Sequence, residues 1–355
     1  MNAKVLILQN EISSYSVPVY NEIAKRYDLT VAFYLRDKSS TECQFKKKKM
    51  ESYSLGPFIF IKNLRKLVSQ FDVVTFLPNL RVPSYIILPF LPRKNKVINW
   101  SIGFRASYTN PYEVNRKHVL ADDIFKLVLS KSDASIFYMD KAKEFWNGSN
   151  LDMSKVFVAP NTTDVIKIEF VPKEKKDFLF VGTLYKGKGV DVLLKTYKKA
   201  VEEYGVNNQL HIVGDGEERA VMENYVANNH LSGKVIFHGA IYEEGVLAQR
   251  FSKALICISP NQAGLSVPKS MGYGVPFVTR KDAITGGEIY HISHGVNGLM
   301  YEKDVELADI LADASQNPQK YINMGIKAKE YYDNNATICH MAQGAMNAFE
   351  YVIKQ

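Results

Sequence analysis

Short apolar, β-branched runs alternate with stretches of helical periodicity along the whole chain, and no other feature narrows the fold as much. In the first half the runs are Lys4–Gln9, Leu29–Leu35, Asp72–Leu77, Val97–Ser101, Ala134–Tyr138 and Val156–Ala159. In the second they are Phe178–Gly182, Gln209–Gly214, Lys234–His238, Ala254–Ser259 and Pro276–Thr279. Between them, patterns such as Val190, Leu193, Leu194, Tyr197 and Val201 keep apolar groups on one helical face. Strand–helix alternation predicts βαβ units and parallel sheets covered on both faces. Pro18 suits the first turn of the opening helix, with Ser16 as its cap.

A chain of 355 residues is long for one doubly wound domain and comfortable for two. Each half restarts with a clear strand, and Pro160–Asp164 followed by the charged stretch Pro172–Asp177 reads as the linker. The expected division is residues 1–165 and 166–335, with a helix over 336–355 packing back on the first domain. Ligands of open α/β sheets bind beyond the carboxyl ends of the strands, so two facing sheets are expected to form a cleft.

Cys43, Cys257 and Cys339 are far apart and lack metal or disulfide spacing, which fits a reducing compartment. The start MNAKVLILQN has no leader pattern, and no apolar run approaches the roughly 20 residues of a membrane span, so a cytoplasmic protein is expected. The net charge of +8 includes the run Lys46–Lys49 and the cluster Arg93, Lys94 and Lys96. These read either as solvated loops or as attraction to an anionic membrane surface or phosphate-bearing acceptor. No nucleic-acid motif accompanies the charge.

The richest segment is Phe178–Val190, where a buried strand ends at Gly182 and a glycine-bearing loop leads into a helix. Backbone N–H groups there, with Lys188 beside them, suit a pyrophosphate. His211–Glu217 contains G-x-G, but Arg219 replaces the third glycine of a dinucleotide fingerprint. No D-x-D pair supplies ligands for a metal-bridged diphosphate, and neither His291 nor His294 has metal spacing. Glu288, after Gly286 and Gly287, reads as a sugar contact or a turn residue.

In order, the blocks V-G-x-L…K-G-V-D-x-L-L, I-V-G-D-G, V-x-F-x-G, S-P-N…G-L-S…S-M-x-x-G-V-P and H-G-V-N-G-L span residues 178–301. This series resembles glycosyltransferase family 4, whose members are retaining enzymes of the GT-B architecture with two facing Rossmann-like domains. The N-terminal half is similar through Tyr15–Ala24 and Val158–Thr162. The resemblance implies transfer from a nucleotide-sugar donor without metal or cofactor. Lys188, with Gly182 and Thr183, would meet the donor diphosphate, and the amides of Gly264, Leu265, Ser266 and Val267 would cradle it. The strand end at His238, Gly239 and Ile241 would hold the base. Tyr15 and Arg105 are acceptor-side candidates, Arg105 for a phosphate.

The family pattern is broken at three donor positions. Thr183 stands where an arginine is usual, and Asn261 and Lys269 where two glutamates are usual. Either Lys269 replaces the charge lost at Thr183, or the donor contact differs, or the homologue is inactive. The leading expectation is a retaining transferase acting on a lipid-diphosphate-linked glycan of bacterial capsule or O-antigen at the inner membrane surface. A degenerate GT-B binding protein and a nucleotide-sugar epimerase are the alternatives.

Overall fold

The computed structural model describes residues 2–106, 113–166 and 175–355. Of the expected linker, residues 172–174 lie outside these. The chain forms two compact units, one from residues up to Thr163 together with Ile338–Gln355, the other from Asp164–Thr337.

Unit 1 holds β1 (Lys4–Gln9), β2 (Asp28–Phe33), β3 (Lys46–Lys49), β4 (Ser52–Leu55), β5 (Phe58–Ile61), β6 (Val73–Phe76), β7 (Lys96–Ser101), β8 (Ala134–Phe137) and β9 (Val156–Val158). Seven of these form one sheet in the order β3-β2-β1-β6-β7-β8-β9, and every pair in it is parallel, while β4 and β5 make a separate antiparallel hairpin. Parallel strands covered on both faces read as unbroken apolar runs, and Val5–Leu8 are indeed fully buried. The helices are α1 (Val17–Ala24), α2 (Leu64–Val68), α3 (Pro83–Ile86) and α4 (Leu120–Lys131). Pro18 sits in the first turn of α1, but Ser16 does not cap it: its hydroxyl donates to Ser13 O at 2.7 Å, in the preceding turn.

The lysine run is not a loop. Lys46–Lys49 form an edge strand parallel to β2, with Lys46 bonded to Asp28 and Lys47 to Asp37. Backbone pairing alone makes this strand, since all four side chains are exposed.

Unit 2 contains β10 (Asp177–Val181), β11 (Leu210–Val213), β12 (Val235–Gly239), β13 (Ala254–Ile258), β14 (Gln262–Ala263), β15 (Phe277–Arg280), β16 (Ile284–Thr285) and β17 (Gly298–Tyr301). The main sheet runs β12-β11-β10-β13-β15-β17, again all parallel. Around it lie α5 (Val190–Tyr204), α6 (Arg219–Asn228), α7 (Glu244–Lys253), α8 (Ser266–Gly272), α9 (Asp304–Gln316) and α10 (Pro318–Asn335). One core covers each face: Leu193, Leu194 and Tyr197 of α5 on one side, Phe251 of α7 and Met271 of α8 on the other. The strand order reverses between β10 and β13, so the loops after these strands diverge at a topological switch point.

The last helix, α11 (Ile338–Ile353), belongs to unit 1. Its buried Met341, Ala345, Phe349 and Val352 join the core that includes Val19 and Ile23 of α1. Gly344 brings the helix so close to β9 that a Cβ there would lie 2.0 Å from Val158 O.

Candidate functional sites of unit 2 and unit 1

The loop after β10 carries Lys188, and its side chain lies over the backbone of Gly182. A Cβ on Gly182 would be 3.3 Å from both Cε and Nζ of Lys188. Burial pushes the Lys188 pKa down to about 8. The ammonium has no carboxylate or hydrogen-bond partner among the described residues. A desolvated, unpaired ammonium is costly unless an anion compensates it.

The loop after β13 closes on the same place. Asn261 N–H donates to Lys188 O at 3.4 Å, and Tyr185 hydroxyl donates to Gln262 Oε1 at 2.8 Å. Gly189 has φ +72° and faces Asn261, whose Cγ would be 2.6 Å from any added Cβ. Asn261 therefore acts in the structure as a strut between the two loops. Gly264, Leu265 and Ser266 follow at the start of α8, whereas Val267 N–H turns back to Gly264 O at 2.9 Å. Thr183 is exposed beside Gly182.

A third loop supports the first. Leu184 N–H donates to Asp215 O at 2.9 Å, Gly182 N–H to Val213 O at 2.9 Å, and Gly214 N–H to Gly239 O at 2.8 Å. A Cβ on Gly214 would fall 1.8 Å from Gly182 O, so the G-D-G motif serves close backbone approach. Gly239 is thereby tied to the same loop cluster, and Ile241 packs against the core beneath.

Two expected contacts point elsewhere. Lys269 ion-pairs with Glu244 at 2.6 Å, donates to Asp164 O at 3.0 Å and is 14% exposed. Its charge is already matched by Glu244, so it does not stand in for a cation lost at Thr183. The His238 ring turns toward β11, with Nε2 2.8 Å from His211 Nδ1. Burial and the nearby Arg250 push the His238 pKa down to about 4. Glu288 is a turn residue here: its buried carboxylate accepts Gly286 N–H at 2.7 Å and Thr285 Oγ1 at 3.1 Å. His291 is buried against the Tyr331 hydroxyl, and His294 Nδ1 accepts Met300 N–H.

In unit 1, Tyr15 is half exposed and lines a 60 Å³ pocket with Glu11, Ser13, Trp100, Tyr138 and Asn161, at the carboxyl ends of β1, β7, β8 and β9. Trp100 is 5% exposed, and its Nε1–H has no acceptor among the described residues. No sequence signal marks this donor, because a tryptophan in an apolar run reads as core. Arg105 is 3.9 Å from buried Asp122, which Arg116 also holds at 2.7 Å. Among the described residues no group of His, Cys, Asp and Glu side chains is arranged to hold a metal ion, and no helix is long and apolar enough to cross a membrane.

Two Rossmann-like units in one chain are the architecture of GT-B glycosyltransferases, and the fold superposes on HepE from Anabaena, solved with UDP, at TM-score 0.72. That match covers 98% of this chain and 99% of the other, at 14% identity. Residues 161–331, nearly all in unit 2, match the family model Glycosyl transferases group 1. The chain is 25% identical over 281 residues to an uncharacterized glycosyltransferase of Haemophilus influenzae, covering 77% of this chain and 75% of that one. It is 24% identical over 215 residues to N-acetyl-alpha-D-glucosaminyl L-malate synthase of Bacillus anthracis, covering 60% of this chain and 52% of that one. Fold, family match and relatives together support a glycosyltransferase of the GT-B type.

Proposed function

We propose that the protein transfers a sugar, with retention and without a metal ion, from a nucleoside-diphosphate sugar bound by unit 2. The unpaired, partly buried Lys188 ammonium over Gly182, at the switch point of the sheet, carries this reading. A diphosphate there would satisfy Lys188 and the free amides at the start of α8. Stabilising the departing diphosphate is the main electrostatic task of such a transfer. Catalysis then rests on positioning and charge, with the acceptor hydroxyl attacking the face the nucleotide leaves.

Lys188, Gly182, Gly239, Gly264, Leu265 and Ser266 are the donor contacts in this reading, with Asn261 bracing them. Trp100 and Tyr15 take an acceptor oxygen in unit 1. A glycan on a lipid diphosphate, in surface-polysaccharide assembly at the inner membrane face, is the proposed acceptor. The exposed lysine strand and the net charge of +8 support peripheral contact with an anionic surface.

One experiment tests the donor reading: thermal unfolding against UDP, GDP, dTDP and CMP, with and without magnesium. A ligand at a hundredfold excess over Kd should add about 2.7 kcal/mol of stability. We expect one nucleoside diphosphate to give this shift irrespective of magnesium, and its sugar conjugate to be hydrolysed slowly or transferred. Absence of any shift would sink the reading. A shift with no sugar release would favour a catalytically inert binding protein, the reading that Thr183 and the paired Lys269 keep open.

Trp100→Phe tests the acceptor side. It removes the indole N–H together with part of a buried ring, so the melting temperature is read alongside; the substrate hydrogen bond itself is worth about 0.5–1.5 kcal/mol. Acceptor KM should rise up to about tenfold with nucleotide affinity unchanged, and an unchanged acceptor KM would remove Trp100 from the site.

A further inference from the structure

The opposite, amino-terminal edge of the unit 2 sheet holds a second, partly open cavity. A 350 Å³ cavity there is lined by Lys176 and Asp177 at the start of β10, Gln209 and His211 at β11, and Arg250 and Lys253 at the end of α7. It shares no residue with the donor loops.

Its three cations share the single carboxylate of Asp177. Among the described residues none of Lys176, Arg250 and Lys253 has a carboxylate within ion-pair distance, and Asp177 is the one acidic side chain in the lining. Arg250 Nε is buried without a hydrogen-bond partner. His211 is 8% exposed, and its Nε2 is also left without a hydrogen bond, with Asp177 in contact at 3.5 Å. An exposed lysine is satisfied by water, but a buried guanidinium N–H and a buried imidazole N are not.

The direction of the histidine pair follows from Asp177. An ionised carboxylate only accepts, so it favours the proton on His211 Nε2; His211 Nδ1 then accepts from His238 Nε2–H across the 2.8 Å contact. His211 Nε2–H is thereby turned to Asp177 and draws that carboxylate toward the histidine pair, so the cavity wall presents the Arg250 N–H donors alongside two ammonium groups. Such a set matches the oxygens of a phosphate group, and the volume is at the lower end for a small-molecule site.

We propose that this cavity binds a small phosphate-bearing anion at a site separate from the donor diphosphate site. Inorganic phosphate is the probe, titrated by calorimetry at constant ionic strength into the wild-type chain, Lys188→Ala, Lys253→Gln and the double variant Arg250→Gln/Lys253→Gln. Phosphate should bind wild type and Lys188→Ala equally. Affinity should fall severalfold in Lys253→Gln, whose exposed position leaves folding intact, and at least about tenfold in the double variant, which loses two charged contacts. No binding to wild type, loss of binding in Lys188→Ala, or undiminished binding in Lys253→Gln and the double variant would each overturn the proposal. Because Lys188→Ala disables only the donor reading, failure of that reading and failure of this one give different patterns.

Discussion

Lys188→Ala should weaken binding of the selected nucleoside diphosphate by at least about a hundredfold, equivalent to two steps of about 1.4 kcal/mol. The size follows from the environment of the ammonium. It sits over Gly182, out of most water and without a carboxylate, so a phosphate would be its main counter-charge. The same burial sets a pH signature. In the free protein the Lys188 pKa is lowered to about 8, and a bound diphosphate must raise it. Binding therefore takes up a proton once the pH exceeds about 8, and affinity falls from there by up to about tenfold per pH unit. Lys188→Arg keeps its charge throughout this range, so its affinity should be flat after the ligand's own titration is subtracted. Calorimetric titrations from pH 7 to 9.5 read both effects. A wild-type profile identical to that of Lys188→Arg would remove Lys188 from the phosphates.

Gly344→Ala should strongly destabilise unit 1. The new Cβ would stand 2.0 Å from Val158 O and 2.8 Å from Ala159 Cα, both backbone atoms that no rotamer change can move aside. Helix α11 would have to lift from β9, opening the core shared by Phe349, Val352 and α1. Overpacking of this kind costs about 1–3 kcal/mol. For a unit of this size the melting temperature should drop by about 3–10 °C. Ala at Gly205, where a Cβ would meet nothing but φ is +68°, is the control and should cost about 1 kcal/mol. Equal losses at the two positions would show that contact with β9 is unimportant.

The main strands were legible because parallel sheets are buried on both faces, and burial writes a continuous apolar run such as Val5–Leu8 into the sequence. Strand β3 was not, because four lysines carry no burial signal and the strand exists through backbone pairing with β2. Strand β17 was absent from the sequence-read runs as well: Gly298–Tyr301 is short and opens on a glycine. At the site, the pattern around Gly182 and Lys188 located the loop, but only the fold shows that the ammonium is unpaired. The partner of Lys269 was beyond reach: Glu244 is separated from it by β13 and β14, and nothing local announces the ion pair. The line from Asp177 through His211 to His238 crosses three strands, so it depends on a register that no linear pattern specifies. Trp100 shows the converse, a residue correctly read as buried whose unused N–H emerges only when its surroundings are counted.

The discontinuous make-up of unit 1 has a consequence for biosynthesis. Unit 2 is one unbroken stretch, Asp164–Thr337, and has all its parts as soon as that stretch has left the ribosome. Unit 1 emerges first yet lacks α11, which covers Val19, Ile23 and their neighbours. At about 5–20 residues per second, the sheet of unit 1 waits on the order of 10–40 s for its final helix. During that interval its apolar face is open to chaperones or to other nascent chains. The half of the molecule made first is thus the last to be finished.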